Sequence, residues 1–230
     1  MKLAHHALNN PICFYENHIP ILIIEAPKMF RQFVFELLAQ SEGLPGKFVL
    51  SLAHEILDCG EHLHIIYDYY HLEPEGRKLQ SRFQSQIQYC IKNQLIIETR
   101  ELEKSICQYL EQLCLLCSPA AFETAEYIPL LLKGAKLRPA LEDESPLERL
   151  ISHLSIYNSL LPNQCFILIS AKTMFDTDEL LKLYRWANYA KCRLLLLESF
   201  HSQPLKNESA VILDKDMCEI YIDSINRNNI

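Results

Sequence analysis

Residues 166–180 read FILISAKTMFDTDEL. A short apolar run, Phe166 to Ile169, gives way to Ser170-Ala171-Lys172-Thr173 and then to a helical pattern. A strand feeding a helix reads this way, and a Lys-Thr pair at the junction raises the question of phosphate binding. A loop of the G-x-x-x-x-G-K-[ST] type wraps phosphates with glycine-supplied backbone N–H groups, and its lysine reaches the outer phosphates. No glycine lies near Lys172; the chain has five, at 43, 46, 60, 76 and 134. The junction has the order of a nucleotide-binding turn without the cradle.

The surrounding segments extend the pattern. Cys165 to Ile169 is continuously apolar, as in a strand buried on both faces. Asp176 with Glu179 three residues later forms a capping box, so a helix runs from there to about Ala190. RLLLLE (193–198) is a second buried strand. The unit has the size of a βαβ crossover, which is nearly always right-handed. AVIL and EIYI then close the sheet as a short pair. At the other end, MKLAHHALNNPICFYENHIPILIIEA reads as strand, turn at Asn9-Asn10-Pro11, and strand. PKMFRQFVFELLAQ reads as a helix with Pro27 in its first turn and an apolar stripe of Phe30, Phe33, Val34, Leu37 and Leu38. KFVLSLAHEI and LHIIYDYY are further strand candidates.

Between these ends the period is helical. Leu95, Leu102, Ile106, Tyr109, Leu113 and Leu116 recur at spacings of 7, 4, 3, 4 and 3. This is an a/d seam, as in a coiled coil or helical hairpin. Ser118-Pro119 breaks it; a further helix is expected from near Phe122 with Gly134 as its stop. Pro146 opens another helix, carrying Leu147, Leu150, Ile151, Leu154 and Leu161. The expected architecture is α/β: a mostly parallel sheet from residues 1–77 and 163–230, with an all-helical insertion at 78–162.

The chain has 230 residues, 49% of them apolar, which is enough for a sizeable core and argues against disorder. No apolar run reaches the length of a membrane span, and MKLAHHALNN lacks the apolar stretch of a signal peptide. A cytoplasmic protein is expected. Nine cysteines are scattered, with Cys107, Cys165 and Cys192 inside apolar runs, as free thiols that pack as small hydrophobes. The net charge of −7 disfavours nucleic-acid binding by the body as a whole.

Three strand ends are candidate sites, because open α/β sheets bind ligands at the carboxyl ends of their strands. Glu25-Ala26-Pro27-Lys28 is too short and too acidic for phosphate, Ser170 to Thr173 has no glycine, and the third end is Glu198. ATP hydrolysis is therefore disfavoured. A nucleotide-dependent or hydrolytic enzyme working near Lys172, Asp68 and Glu25 remains the alternative. Cys114-x-x-Cys117 has metal or redox spacing but lies beside the helical seam with no second pair, so packing is the simpler reading. The histidines include His5 with His6, and His62 with His64, the latter a His-x-His pair with the spacing of metal ligands on one strand face but no evident third ligand. The basic residues cluster: Lys133, Lys136 and Arg138 in KGAKLRP, Lys28 and Arg31 on the first helix, and Arg77, Lys78 and Arg82 at the start of the insertion. Taken singly, such clusters read as solvated faces.

The text LERLISHLSIYNSLLPNQCFILISAKTMFDTDELLKLYRWANYAKCRLLLLES, with VILDKDMCEIYI after it, resembles the small adaptation protein of type II-A CRISPR systems, from the Csn family. IPILIIEAPKMFRQF and LHIIYD carry the likeness further. The resemblance implies a head domain like a P-loop ATPase that has lost its phosphate loop, and an inserted helical leg. It implies a non-enzymatic homotetrameric ring with a basic hole that binds the ends of double-stranded DNA, assisting spacer acquisition beside the CRISPR integrase and the RNA-guided nuclease. It points to Lys28, Arg31, Lys133, Lys136 and Arg138 as the DNA-binding lining. An oligomeric protein–protein scaffold is the other alternative. The family often binds calcium through an acidic stretch of the leg. Here that stretch reads CLLCSPAAFETAEY, with Glu123 and Glu126 alone; Glu148 and the nearby Glu142, Asp143 and Glu144 are the other candidates, against the six to eight oxygens calcium takes.

Overall fold

The computed structural model describes residues 1–123, 126–141 and 145–223. The elements are β1 (Lys2–His5), β2 (Ile12–Cys13), β3 (Ile19–Ile24), α1 (Pro27–Ser41), β4 (Phe48–Leu52), β5 (Glu55–Leu57), α2 (Cys59–His62) and β6 (Leu63–Ile66). After these come α3 (Arg77–Asn93), α4 (Ile96–Leu116), α5 (Tyr127–Ala135) and α6 (Pro146–Leu160). The last are β7 (Cys165–Ile169), α7 (Ala171–Met174), α8 (Thr177–Tyr189), β8 (Arg193–Glu198), β9 (Glu208–Leu213) and β10 (Glu219–Asp223). The contacts divide them into two units, 1–73 with 141–230, and 74–140.

The larger unit is α/β. Its main sheet has the order β10-β9-β3-β8-β7-β6, parallel throughout except for the β9–β10 hairpin. β3, β7 and β8 are buried almost end to end, which is why they read as unbroken apolar runs. The segment KFVLSLAHEI does not join this sheet. It forms the β4–β5 hairpin, and β4 pairs with β1 in a separate antiparallel sheet of order β2-β1-β4-β5. The expected mostly parallel sheet is thus accompanied by a second, antiparallel layer.

One face of the main sheet presents Leu22, Ile24, Ile167, Ile169, Leu195 and Leu197 to Phe33 and Leu37 of α1 and to Leu3, Phe48 and Leu50 of the second sheet. Residues of opposite parity turn to the other face, where α6 and α8 lie. There His64 of β6 stacks on His153 of α6, and Tyr184 of α8 bonds Glu208 of β9. The α6 stripe of Leu147, Leu150 and Leu154 is buried, and α6 packs beside α8. This helix, expected in the insertion, therefore belongs by its contacts to the α/β unit; its apolar stripe reads the same wherever it packs. Each fully buried leucine is worth about 1.5–3 kcal/mol of transfer free energy. The expected Asp176–Glu179 capping box opens α8, and Ser145 with Glu148 forms a second one at α6 that the sequence reading does not name.

The smaller unit packs α3 beside α4 and α4 beside α5. The helical seam is real as a helix, but α4 buries none of its residues, and Tyr109 and Leu116 are 66% and 84% exposed. α5 begins at Tyr127 rather than Phe122, and Gly134 lies inside it. The stop is Lys136, in the left-handed region at φ 50°. Among the described residues no helix is long and apolar enough to cross a membrane.

Candidate functional site

The S-A-K-T junction at the end of β7 holds a buried polar network. Ser170 sits left-handed at φ 57° and turns β7 into the four-residue α7. Lys172 then points not to solvent but beneath the protein surface: its side chain is 6% exposed, and its Nζ lies 2.8 Å from Glu208 Oε2, itself fully buried. Nζ also donates to Ser202 Oγ at 3.1 Å. Glu208 accepts the Tyr184 hydroxyl at 2.7 Å and the Leu205 N–H at 2.7 Å. The Lys172 N–H donates to Glu198 Oε1 at 2.9 Å, while Glu198 Oε2 is buried with no partner among the described residues. Burial pushes the Glu198 carboxyl up to about 7, against the opposing pull of the Lys172 N–H and ammonium. The lysine that could have reached a phosphate is neutralised internally, so this strand end is a closed polar network.

A second buried polar pair lies at the β6 edge. His64 Nε2 and His153 Nε2 are 2.9 Å apart, with Tyr157 4.1 Å from the His64 ring. One imidazole must donate and the other accept, so the pair is held together by at least one unprotonated Nε2. Burial, with the neighbouring charge of the other ring, lowers His64 to about 3; burial and the Arg149 charge lower His153 to about 4. His62 does not share a strand face with His64, because it ends α2 one residue before β6 begins. His5 pairs with Glu36 at 3.0 Å. Neither expected histidine pair thus forms a shared metal face. His153, Tyr184 and Glu208 escaped the sequence reading. The available signals were a histidine inside an apolar helical stripe and an acid opening an apolar strand.

The expected basic residues are exposed and fall on the two units. Lys28 and Arg31 lie one turn apart on α1, whose buried side is Phe33 and Leu37. Lys133, Lys136 and Arg138 cluster at the end of α5, within a stretch, residues 127–141, that contains no acid. A lysine in the last turn also complements the helix dipole, worth a few tenths of a kcal/mol.

Among the described residues, Glu123, Glu126 and Glu148 belong to no group of three metal-ligating side chains. Glu148 is committed to its capping box, with Oε2 2.7 Å from Ser145 Oγ. Glu126 is the N-cap of α5, and the Glu123 carbonyl accepts the Tyr127 hydroxyl. Glu142, Asp143 and Glu144 lie outside the described residues. Among the described residues no three His, Cys, Asp or Glu side chains converge as metal ligands would. The Cys114-x-x-Cys117 pair is free; Cys114 is half-buried and Cys117 is exposed at the α4 C-cap.

Comparison with curated proteins finds no match. Comparison with family models finds one, described as CRISPR-associated protein (Cas_Csn2), over residues 62–217. That stretch runs from the last residue of α2 through β6, the helices and the βαβ unit into the β9–β10 turn, well over half of the chain. The chain belongs to the Csn2 family of type II-A CRISPR-associated proteins.

Proposed function

We propose that this protein is a non-enzymatic component of CRISPR spacer acquisition that binds the ends of double-stranded DNA as a homotetrameric ring. The observation that carries the reading is the exposed, acid-free cluster of Lys133, Lys136 and Arg138 on an otherwise acidic chain. Four copies converging on one duplex multiply a few cations into a phosphate-neutralising lining, which is sequence-independent and salt-sensitive. Lys28 and Arg31 extend the lining on the head. The exposed apolar positions of α4 favour self-association. The buried Lys172–Glu208 pair supports a head that is a P-loop-like sheet without nucleotide chemistry. The CRISPR integrase and the RNA-guided nuclease are the partners this role implies, in the cytoplasm.

The test is a gel shift at low and moderate salt with a linear duplex and the same DNA as a closed circle, with size exclusion in parallel. Salt-sensitive binding to linear DNA alone, from a tetramer, is the expected result. A tetramer with no affinity for either DNA leaves the oligomeric scaffold, which the α4 face equally favours.

A further inference from the structure

The loop leaving β6 carries Tyr67-Asp68-Tyr69-Tyr70-His71, a run that DNA binding through the basic clusters does not use. It is held at two points. Tyr69 is buried, donates its hydroxyl to the Ile169 carbonyl at 3.0 Å, and meets the Phe175 ring edge-on at 5.3 Å. Beyond it, Arg149 Nη2 donates to the Leu72 carbonyl at 3.1 Å. Tyr67, just ahead of the first anchor, and Tyr70, between the two, turn outward, 62% and 68% exposed. With Asp68 they line an open pocket of about 450 Å³ at the carboxyl ends of β6 and β7, bordered on its other side by Ile169, Ser170, Thr173 and Met174. No lysine or arginine lines it.

Asp68 is the charge in this pocket. Its Oδ1 accepts the N–H groups of Tyr70 and His71 at 2.9 and 3.1 Å, and Oδ2 is 2.8 Å from His71 Nδ1. The His71 bond, followed by the two backbone bonds, lowers the carboxyl below its ordinary value. A carboxylate oxygen has two lone pairs, so Oδ2 keeps one for a guest.

We propose that this pocket receives one cationic side chain, an arginine presented by a partner protein. Aromatic faces attract a guanidinium, Asp68 supplies its counter-charge, and Ile169 and Met174 cover its aliphatic stem. The anchored loop is shaped beforehand, so little ordering opposes binding. A nucleotide or DNA phosphate meets a carboxylate there and no cation. The proposal stands apart from the DNA-end reading and shares no residue with it.

The experiment titrates the full chain with the peptide acetyl-Gly-Arg-Gly-amide, with its citrulline counterpart, and with AMP, while tyrosine ring NMR signals are followed. The arginine peptide is expected to move the Tyr67 and Tyr70 signals saturably. The uncharged citrulline peptide is expected to bind about tenfold more weakly, and AMP not at all. Asp68→Asn retains an oxygen for the two backbone N–H groups, so the loop keeps its shape while the arginine preference is lost. Equal response to citrulline, a response to AMP, an unchanged arginine preference in D68N, or no response at Tyr67 and Tyr70 would each overturn the proposal.

Discussion

Lys172 Nζ lies 2.8 Å from Glu208 Oε2 with both side chains withdrawn from solvent. A buried pair adds little over an apolar isostere, but breaking it leaves one charge unpaired in a poor medium for it. Lys172→Met is therefore expected to destabilise the fold by about 3–5 kcal/mol in chemical denaturation. Lys172→Met with Glu208→Gln is expected to recover part of that loss, and the double-mutant cycle measures the coupling. A K172M protein as stable as the parent would show that the pair is dispensable.

Glu198 gives the fold a dependence on pH in the opposite sense to most acids. Its carboxyl holds a proton more tightly folded, about 7, than at its ordinary 4.5. Its stabilisation is full below pH 4.5 and is lost as pH rises through 7, by up to roughly 3 kcal/mol. Glu198→Gln imitates the protonated acid and keeps an oxygen for the Lys172 N–H. Thermal melts from pH 5 to 8.5 are expected to show the variant gaining on the parent as pH rises. A constant difference across that range would mean that Glu198 does not titrate there.

The histidine pair works in the other direction. His64 and His153 are held near 3 and 4 in the folded chain, against an ordinary value of 6.5. The unfolded chain takes up protons first on acidification, so this stability is present above pH 6.5 and drains away as pH falls toward 4. The loss is on the order of 3 kcal/mol for one such group. His153→Gln can still bond His64 but does not titrate, and its melts are expected to fall less steeply between pH 6.5 and 4.5. Because Glu198 and the histidines oppose each other in this window, Glu198→Gln steepens the loss of stability on acidification and His153→Gln flattens it.

The parts of this molecule legible in its sequence are those whose cause is local. CFILI and RLLLLE are buried on both faces and so are unbroken apolar runs, and the Asp176–Glu179 box closes within four residues. What escaped depends on distant partners. FVLSL reads as a strand, but its pairing with β1 comes from residues more than forty positions earlier. The stripe of α6 is the same whether it covers a leg helix or the β6–β7 edge. Lys172 reads as a free cation until Glu208, thirty-six residues on, is folded against it. Exposed basic clusters are legible as composition, whereas the proposed convergence of copies on one duplex would depend on assembly, which no local pattern encodes.

That convergence is the most direct matter to test by mutation. Lys133 and Lys136 are exposed, one turn apart at the end of α5, and distant in sequence from the α4 seam that favours assembly. Lys133→Glu with Lys136→Glu replaces attraction with repulsion at every copy around the duplex. The double variant is expected to lose measurable binding to linear DNA while eluting from size exclusion as the parent does. Lys133→Ala alone is expected to weaken binding uniformly across sequences. It should also flatten the plot of log affinity against log salt, by about 0.9 for each phosphate contact removed. Undiminished affinity in the double variant would remove this cluster from the lining. Lost affinity together with a broken tetramer would place these lysines at the subunit interface, so both measurements are made on one preparation.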